Sequence, residues 1–376
     1  MKAWVLYGIN DFRLETIEIP KLKKDEVLVS VKAAGICGSD IPRVYQTGAY
    51  FYPLILGHEC SGIVEEVEEE TDKKWKGKRV GIYPLIPCMD CIPCQRQQYE
   101  MCRNYSYLGS RRNGGFAEYL AVPAKNLVEL PSTVSYEEAA MLEPMAVAVH
   151  AIRKVLFCTV RGTKKIVICG LGTIGLLLFM FLWDIKQQNS QDGIQILVIG
   201  NKEFQKQRVL KMGLSEEDYC DGRVEDIGNW IMERTEGMGA DIFFECVGKN
   251  ETFTEAVDFT APAGSICLVG NPYSDMRLEK AVYWKILRNQ LTITGTWNSS
   301  FLHNSEDDWH YILKRLEQKK IEPCQFISHQ FAIEELEKGF QIMRDKTEEY
   351  VKIMMMLKFR KDASIGRKAC TGFACA

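Results

Sequence analysis

The sequence has almost no net charge: 47 Lys and Arg against 50 Asp and Glu leave −3 over 376 residues. Without a basic field nothing draws nucleic acid, and no basic cluster adjoins an amphipathic face that would lie on a membrane. No internal repeat or low-complexity stretch stands out, which excludes a repeat array. Histidine is scarce, five in all, so few positions could supply an imidazole ligand. No long apolar run is unbroken. The most apolar stretch, Ile166–Trp183, is interrupted by Gly170, Gly172 and Gly175. It reads as a buried strand, a tight loop and a buried helix (Ile174–Trp183) too short to span a bilayer. Met1–Tyr7 reads as a strand rather than an export signal. Cysteine is plentiful, with 14 residues. Together these point to a reducing, cytoplasmic compartment, where thiols stay free or bind metal.

Four of the cysteines stand together, Cys88, Cys91, Cys94 and Cys102, spaced C-x2-C-x2-C-x7-C. Four thiolates on one short loop match the tetrahedral site that Zn2+ favours, and a closed site of that kind is a structural staple. Unpaired thiols and a C-x2-C redox disulfide are the other readings of the same spacing.

The first 145 residues or so read as many short strands with turn signals, among them Glu26–Val31 and Ser61–Val64, an antiparallel and partly closed β architecture. Ser135-x-x-Glu138 is a capping box opening a short helix. From about residue 163 strands and helices alternate. Strands are expected at Lys165–Cys169, Ile194–Ile199, Ala240–Cys246, Ser265–Gly270 and Leu291–Gly295, with a weaker one near Asp218–Cys220. Helical patterns cover Glu203–Met212 and Val224–Thr235. Such alternation implies an α/β fold with a doubly wound parallel sheet. Longer helices follow at Ser305–Lys319 and Ile333–Arg344, then a strand at Tyr350–Leu357. The tail beyond Lys358 is basic and rich in small residues, and reads as peripheral.

Gly170-Leu171-Gly172-Thr173-Ile174-Gly175 fits G-x-G-x-x-G between a strand and a helix, the context a dinucleotide loop requires. The helix N-terminus there offers unpaired N–H groups and partial positive charge to a pyrophosphate. An acidic residue usually ends the second strand and binds the ribose hydroxyls. Here the strand runs into Gly200-Asn201-Lys202, with Gly200 where the acid is expected. Losing that carboxylate removes a clash with a 2′-phosphate, and Lys202 or Arg208 could pair with it. NAD(P) is therefore expected, with NADP slightly favoured. Lys202 also reads as a plain solvated lysine. Cofactor contacts are expected at Gly170, Gly172, Thr173, Ile174, Gly175, Gly200, Asn201 and Lys202, and further along at Val247, Val269 and Gly270.

A second metal-binding set is scattered. Cys37 in Gly35-Ile36-Cys37-Gly38-Ser39-Asp40, His58 in Gly57-His58-Glu59, and Glu143 before Pro144 supply a thiolate, an imidazole and a carboxylate. Three such ligands with one open position make the composition of a catalytic zinc site. Taken singly, each has a structural reading: a core thiol, a loop histidine, a helix-cap charge. His150 falls mid-helix, and His303, His310 and His329 have no ligand-like neighbours.

Those motifs, with the four-cysteine loop, Gly114-Gly115-Phe116-Ala117-Glu118-Tyr119 and the glycine-rich loop, resemble the zinc-dependent medium-chain dehydrogenases over residues 1 to about 358. Within them the chain is most similar to the polyol branch. The resemblance implies a GroES-like, partly closed β-barrel catalytic domain over 1–150 and a Rossmann NAD(P)-binding domain over 151–296. A segment at 297–358 would return to the catalytic domain, with 359–376 as the tail. It implies two zinc ions, one catalytic on Cys37, His58 and Glu143 with Glu59 as a ligand or beside the ion, one structural on Cys88, Cys91, Cys94 and Cys102. Family folds place the active site in the cleft between domains. A secondary alcohol would be oxidised reversibly to a ketone, its hydride passing to the nicotinamide and its proton leaving through Ser39. A homodimer or homotetramer is implied as well.

Three arginines suggest the substrate. Arg43 follows the Cys37 loop, in a segment that lines the pocket in relatives, and Arg111 and Arg112 follow the cysteine loop. Guanidinium groups suit phosphate because they donate paired hydrogen bonds in a fixed fork. A polyol phosphate, oxidised to a ketose phosphate, is therefore expected. Solvation, or pairing with acids such as Glu118, is the structural alternative. A free-polyol, 2,3-butanediol or threonine dehydrogenase would share the zinc residues, and a non-catalytic dinucleotide redox sensor is a more distant reading.

Overall fold

The computed structural model describes residues 1–156, 164–188 and 193–357. The expected tail at 359–376 lies outside the described residues. Two compact units are present, one built from Met1–Cys88, Asn104–Glu143 and the chain from Glu322 onward, the other from Met89–Arg103 and Pro144–Ile321.

In the first unit the strand Glu26–Ile36 is the organising element. Ten of its eleven positions are buried, so it lacks the in–out alternation of a sheet with one wet face. It pairs antiparallel with Glu59–Val67, with Tyr119–Pro123 and with Lys352–Met356. The sheet extends through Arg79–Ile82 to Leu127–Glu129 on one side and to Ile327–Ala332 on the other. Val27, Val29, Val31 and Ile36 pack in one core with Leu336 and Phe340 of the helix Leu336–Asp345. Trp4 Nε1 donates to the Ile333 carbonyl at 2.6 Å, tying the first strand of the chain to its last segment. That helix begins three residues later than its periodicity suggests, because Ile333–Glu335 form a 3-10 turn first. The Ser135 capping box forms as expected, with Glu138 as its partner.

The second unit carries six parallel strands in the order Tyr219–Asp221, Gln195–Gly200, Lys165–Cys169, Ala240–Glu245, Thr260–Leu268, Thr292–Gly295. The order reverses between Lys165–Cys169 and Ala240–Glu245, which makes the sheet doubly wound with its switch point at the end of Lys165–Cys169. Gly170 leaves that strand at φ +97°, a conformation only glycine adopts readily. A Cβ on Gly175 would run into the Gly170 carbonyl, so the helix Thr173–Gln188 seats against the strand only with glycine there. Nothing lies within 4 Å of a Cβ at Gly172, leaving open space above the turn. The helix continues past Trp183 because Asp184 is buried and paired with Arg315 at 2.9 Å. Among the described residues no helix is long and apolar enough to cross a membrane. The helix expected from Ser305 starts at Asp308, since Asp307 caps it by accepting from His310 N.

Candidate active site and cofactor loop

Three adjacent strands of the first unit bring the site together. Cys37 follows Glu26–Ile36, and Glu59 opens the antiparallel neighbour with Gly35 as its register partner. Lys352 opens the strand on the other side, where Ile353 pairs with Ile36. A Cβ on Gly35 would collide with the Glu59 carboxylate, so glycine clears the place that this side chain fills. Gly57 precedes His58 at φ +94°, and a Cβ there would come within 2.9 Å of Phe116.

The turn after Cys37 closes on itself. Asp40, fully buried, accepts from Cys37 N at 3.0 Å, and its own N–H donates to the Cys37 carbonyl at 3.0 Å. His58 is buried; its Nδ1 lies 3.6 Å from Asp40 Oδ1, and that nitrogen has no hydrogen-bond partner. The ligand atoms of Cys37, His58 and Glu59 all lie within 4.8 Å of one another. Sulfur, imidazole and carboxylate donors gathered this closely around an orphaned buried nitrogen fit a zinc ion with a position left open.

Glu143 stands apart from that donor group. It lies in the first turn of the helix Leu142–Leu156 and accepts from the Tyr107 hydroxyl at 3.1 Å. The Tyr107 ring meets His58 edge-on at 5.7 Å between centroids. Both Glu59 oxygens accept from Lys352 Nζ at 2.7 Å, and Lys352 also donates to the Ile36 carbonyl at 3.1 Å. The side chains of this pair are 3% and 1% exposed. Ser39 Oγ donates to Cys37 Sγ at 3.3 Å and accepts from Arg43 at 3.0 Å.

The local field is anionic. Burial opposes protonation of His58, yet Asp40, Cys37 and Glu143 push its pKa up to about 10. Burial raises the Glu143 carboxyl, with His58 and Lys352 pulling the other way and Glu59 adding to the rise. Asp40, Glu59, Glu143 and Cys37 face Lys352 and Arg43, a balance that suits a divalent cation.

The four-cysteine loop is gathered too, with all four ligand atoms within 4.8 Å. Cys91 Sγ lies 3.5 Å from Cys94 Sγ and 3.9 Å from Cys102 Sγ, beyond the S–S bond length of about 2.05 Å. The arrangement is a four-thiol cage fitting structural zinc.

In the second unit Gly170, Val247 and Gly270 converge at the strand ends. A Cβ on Gly170 would be 2.6 Å from Val247 Cγ2, and one on Gly270 would strike the backbone of Val247 and Gly248. Glu245 organises this turn: its Oε1 accepts from Val247 N, Gly248 N and the Thr252 hydroxyl, each at 2.8 Å. Its backbone carbonyl accepts from Val269 N at 2.8 Å and Gly270 N at 2.9 Å. Thr173 and Ile174 begin the helix of the glycine-rich loop; Gly200 ends the neighbouring strand, and Asn201 and Lys202 lead from it into the helix Glu203–Lys211, with Lys202 at its N-cap. Arg208, on the same helix, is half-buried, and burial lowers its pKa.

The three arginines are not assembled into one cluster. Arg43 donates to Ser39 and, at 3.3 Å, to Asp40. Arg112 pairs with Glu26, not with Glu118. Arg111 lies between the Tyr50 and Tyr105 rings, at 4.8 Å and 4.3 Å, and donates to the Tyr105 carbonyl at 3.3 Å. Sequence reasoning missed Lys352, Tyr107 and the contact role of Asp40. Asp40 was in plain view inside the Cys37 motif, and Lys352 heads an apolar strand, where a lysine needs a partner. Tyr107 carried no signal.

Residues 23–132 match the model of the alcohol dehydrogenase GroES-like domain, and residues 190–318 that of the zinc-binding dehydrogenases. The chain thus belongs to the zinc-dependent medium-chain alcohol dehydrogenases. Galactitol 1-phosphate 5-dehydrogenase of Escherichia coli K12 is 32% identical, over 84% of this chain and 88% of its own. L-idonate 5-dehydrogenase of Vitis vinifera is 30% identical, over 91% and 90%. The crystal structure of the Escherichia coli galactitol-1-phosphate dehydrogenase superposes with a TM-score of 0.84 at 29% identity, covering 95% of this chain and all of that one.

Replacing Lys352 by Met leaves the Glu59 carboxylate buried without its cation. Breaking one partner of a buried pair costs about 3–5 kcal/mol. A fall in thermal or denaturant midpoint of that order is expected for the zinc-free K352M protein, and an unchanged midpoint would show that Glu59 needs no counter-charge.

Proposed function

We propose that the protein oxidises a secondary hydroxyl of a polyol phosphate to the ketose phosphate, with NAD(P) as hydride acceptor and NADP slightly favoured. The observation that carries this reading is the Cys37–His58–Glu59 donor group with Ser39 and Arg43 hydrogen-bonded onto it. Bound zinc supplies Lewis acidity at the substrate oxygen, and bound nicotinamide supplies the hydride acceptor. Ser39 is placed to take the hydroxyl proton, with Arg43 holding its oxygen. Asp40 orients the Cys37 turn through the backbone and faces His58 across 3.6 Å. Tyr107 steadies Glu143, and Lys352 balances the charge of Glu59.

Support for a phosphate comes from Arg111. Arg43 and Arg112 each have a carboxylate partner, whereas Arg111 is exposed, held between two rings, and has no ion-pair partner among the described residues. Its guanidinium edge is available to an anion, and hydrogen bonds to charged groups contribute about 1.5–3 kcal/mol. Galactitol, the substrate alcohol in the name of the relative above, provides the probe. The wild-type protein is expected to turn over galactitol 1-phosphate far better than galactitol. Arg111→Ala should raise KM for the phosphate roughly tenfold to a hundredfold while leaving the free polyol unaffected; equal effects on both substrates would exclude a phosphate contact.

Metal analysis should find two zinc ions per chain. Stripping them with a chelator, or replacing Cys37 by Ala, should abolish polyol-dependent reduction of NAD(P). Near-normal turnover by metal-free protein would overturn the zinc-dependent reading.

We also propose a homodimer through the strand Thr292–Gly295. It ends the parallel sheet, and Ile293 on it, with Tyr283, Trp284 and Leu287 on the helix Lys280–Arg288, is exposed. Open apolar strand edges are templates for pairing. Light scattering should give twice the 43.0 kDa chain mass, or a multiple of it, and Ile293→Asp should reduce it to one chain. A wild-type monomer at micromolar concentration would refute the pairing.

A further inference from the structure

The strand Gln195–Gly200 ends without the acidic side chain that would meet the adenosine ribose, and the place of that side chain is filled. A Cβ on Gly200 would stand 2.6 Å from the Tyr219 hydroxyl oxygen and 3.1 Å from two carbons of its ring. The first approach is closer than real Cβ contacts allow and the second is tighter than most of them, so a side chain at position 200 must shift the phenol. Tyr219 opens the adjacent parallel strand Tyr219–Asp221, where its register partner is Val198. Backbone pairing fixes it there: Gly222 N donates to the Gly200 carbonyl at 2.9 Å. The ring is 5% exposed, so the phenol is held rather than swinging in solvent.

The surroundings of the ring carry charge of both signs. Lys206 Nζ lies 5.6 Å from the Tyr219 ring centroid. Asp221, at the end of the same strand, is held by Arg223 through two contacts, of 2.9 Å and 2.5 Å, so its carboxylate is matched on the spot. Glu203 is the other acid acting on the phenol. Burial, then Asp221 and Glu203, push the Tyr219 hydroxyl up to about 12. It remains a neutral group that both donates and accepts.

We propose that Tyr219 replaces the strand-end residue as the group that meets the 2′ position of the cofactor ribose and decides between NAD and NADP. Its hydroxyl stands where a carboxylate would repel a 2′-phosphate, and Lys206 beside it adds positive charge. The inference rests on the dinucleotide-binding reading above and names the residue that sets its selectivity.

A double-mutant cycle on the zinc-loaded full chain tests it, with dissociation constants for NAD+ and NADP+ from calorimetry and with thermal midpoints. The variants are Gly200→Asp, Tyr219→Ala and the pair. Gly200→Asp alone should weaken both cofactors and lower the midpoint, because the new side chain and the phenol compete for one space. With Tyr219→Ala in place, adding Gly200→Asp should shift the ratio of the two constants at least tenfold toward NAD+, with a smaller loss of midpoint. Tyr219→Phe, which keeps the packed ring, should change the ratio at least threefold. An unchanged ratio in Tyr219→Phe, or the same shift from Gly200→Asp with and without Tyr219, would overturn the proposal. Failure of the wild-type protein to bind either dinucleotide would instead overturn the cofactor reading itself, and this inference with it.

Discussion

The ion pair between Lys352 and Glu59 is the contact on which the first unit turns. Two charges taken out of water cost several kcal/mol each unless they meet one another in good geometry. Here one ammonium lies 2.7 Å from both carboxylate oxygens and spends a further proton on the Ile36 carbonyl. The pair bridges strands nearly three hundred residues apart in the chain, on either side of the strand that leads to Cys37. It adds to the strand pairing and the shared apolar core that join the segment after Glu322 to the first 88 residues. It also sets the electrostatics of the donor group, since Glu59 brings a charge already balanced to Cys37 and His58.

Around that pair the site is layered by backbone geometry. The Cys37 turn is closed by Asp40, which accepts from the backbone on one oxygen and faces His58 with the other. Ser39 and Arg43 follow from the same turn and the first helical turn after it, so the hydroxyl on Cys37 and the local positive charge come from one short segment. The donor chemistry suits zinc, while Glu143 is drawn aside to Tyr107. Glu59 and Glu143 are each committed to a different partner, an ammonium and a phenol.

The second unit works by removal of side chains. Gly170 and Gly175 let a helix end meet a strand end at touching distance, and Gly270 lets a third backbone approach. Glu245 then fastens the turn by accepting from the N–H groups of Val247 and Gly248. At Gly200 the same device has another outcome, because a neighbouring strand fills the vacated space with Tyr219.

Local pattern was enough to read much of this protein. Alternating strands and helices, the glycine-rich loop and the cysteine spacing depend on neighbours within a few residues, and the six parallel strands and the four-thiol cage follow from them. The scattered ligands Cys37 and His58 were legible because each lies in a short motif of its own. Contacts between distant segments were not. Nothing near Lys352 announces Glu59, nothing near Tyr107 announces Glu143, and Gly200 reads as a missing acid until Tyr219 is seen to fill its place. Arg111 and Arg112 are chemically alike and adjacent, yet one lies between tyrosines and the other is bound to Glu26. Residue type and spacing determined which chemistry the chain can do. Strand register and burial, which assign each charge its partner, decided where that chemistry is held and which groups remain available to a ligand.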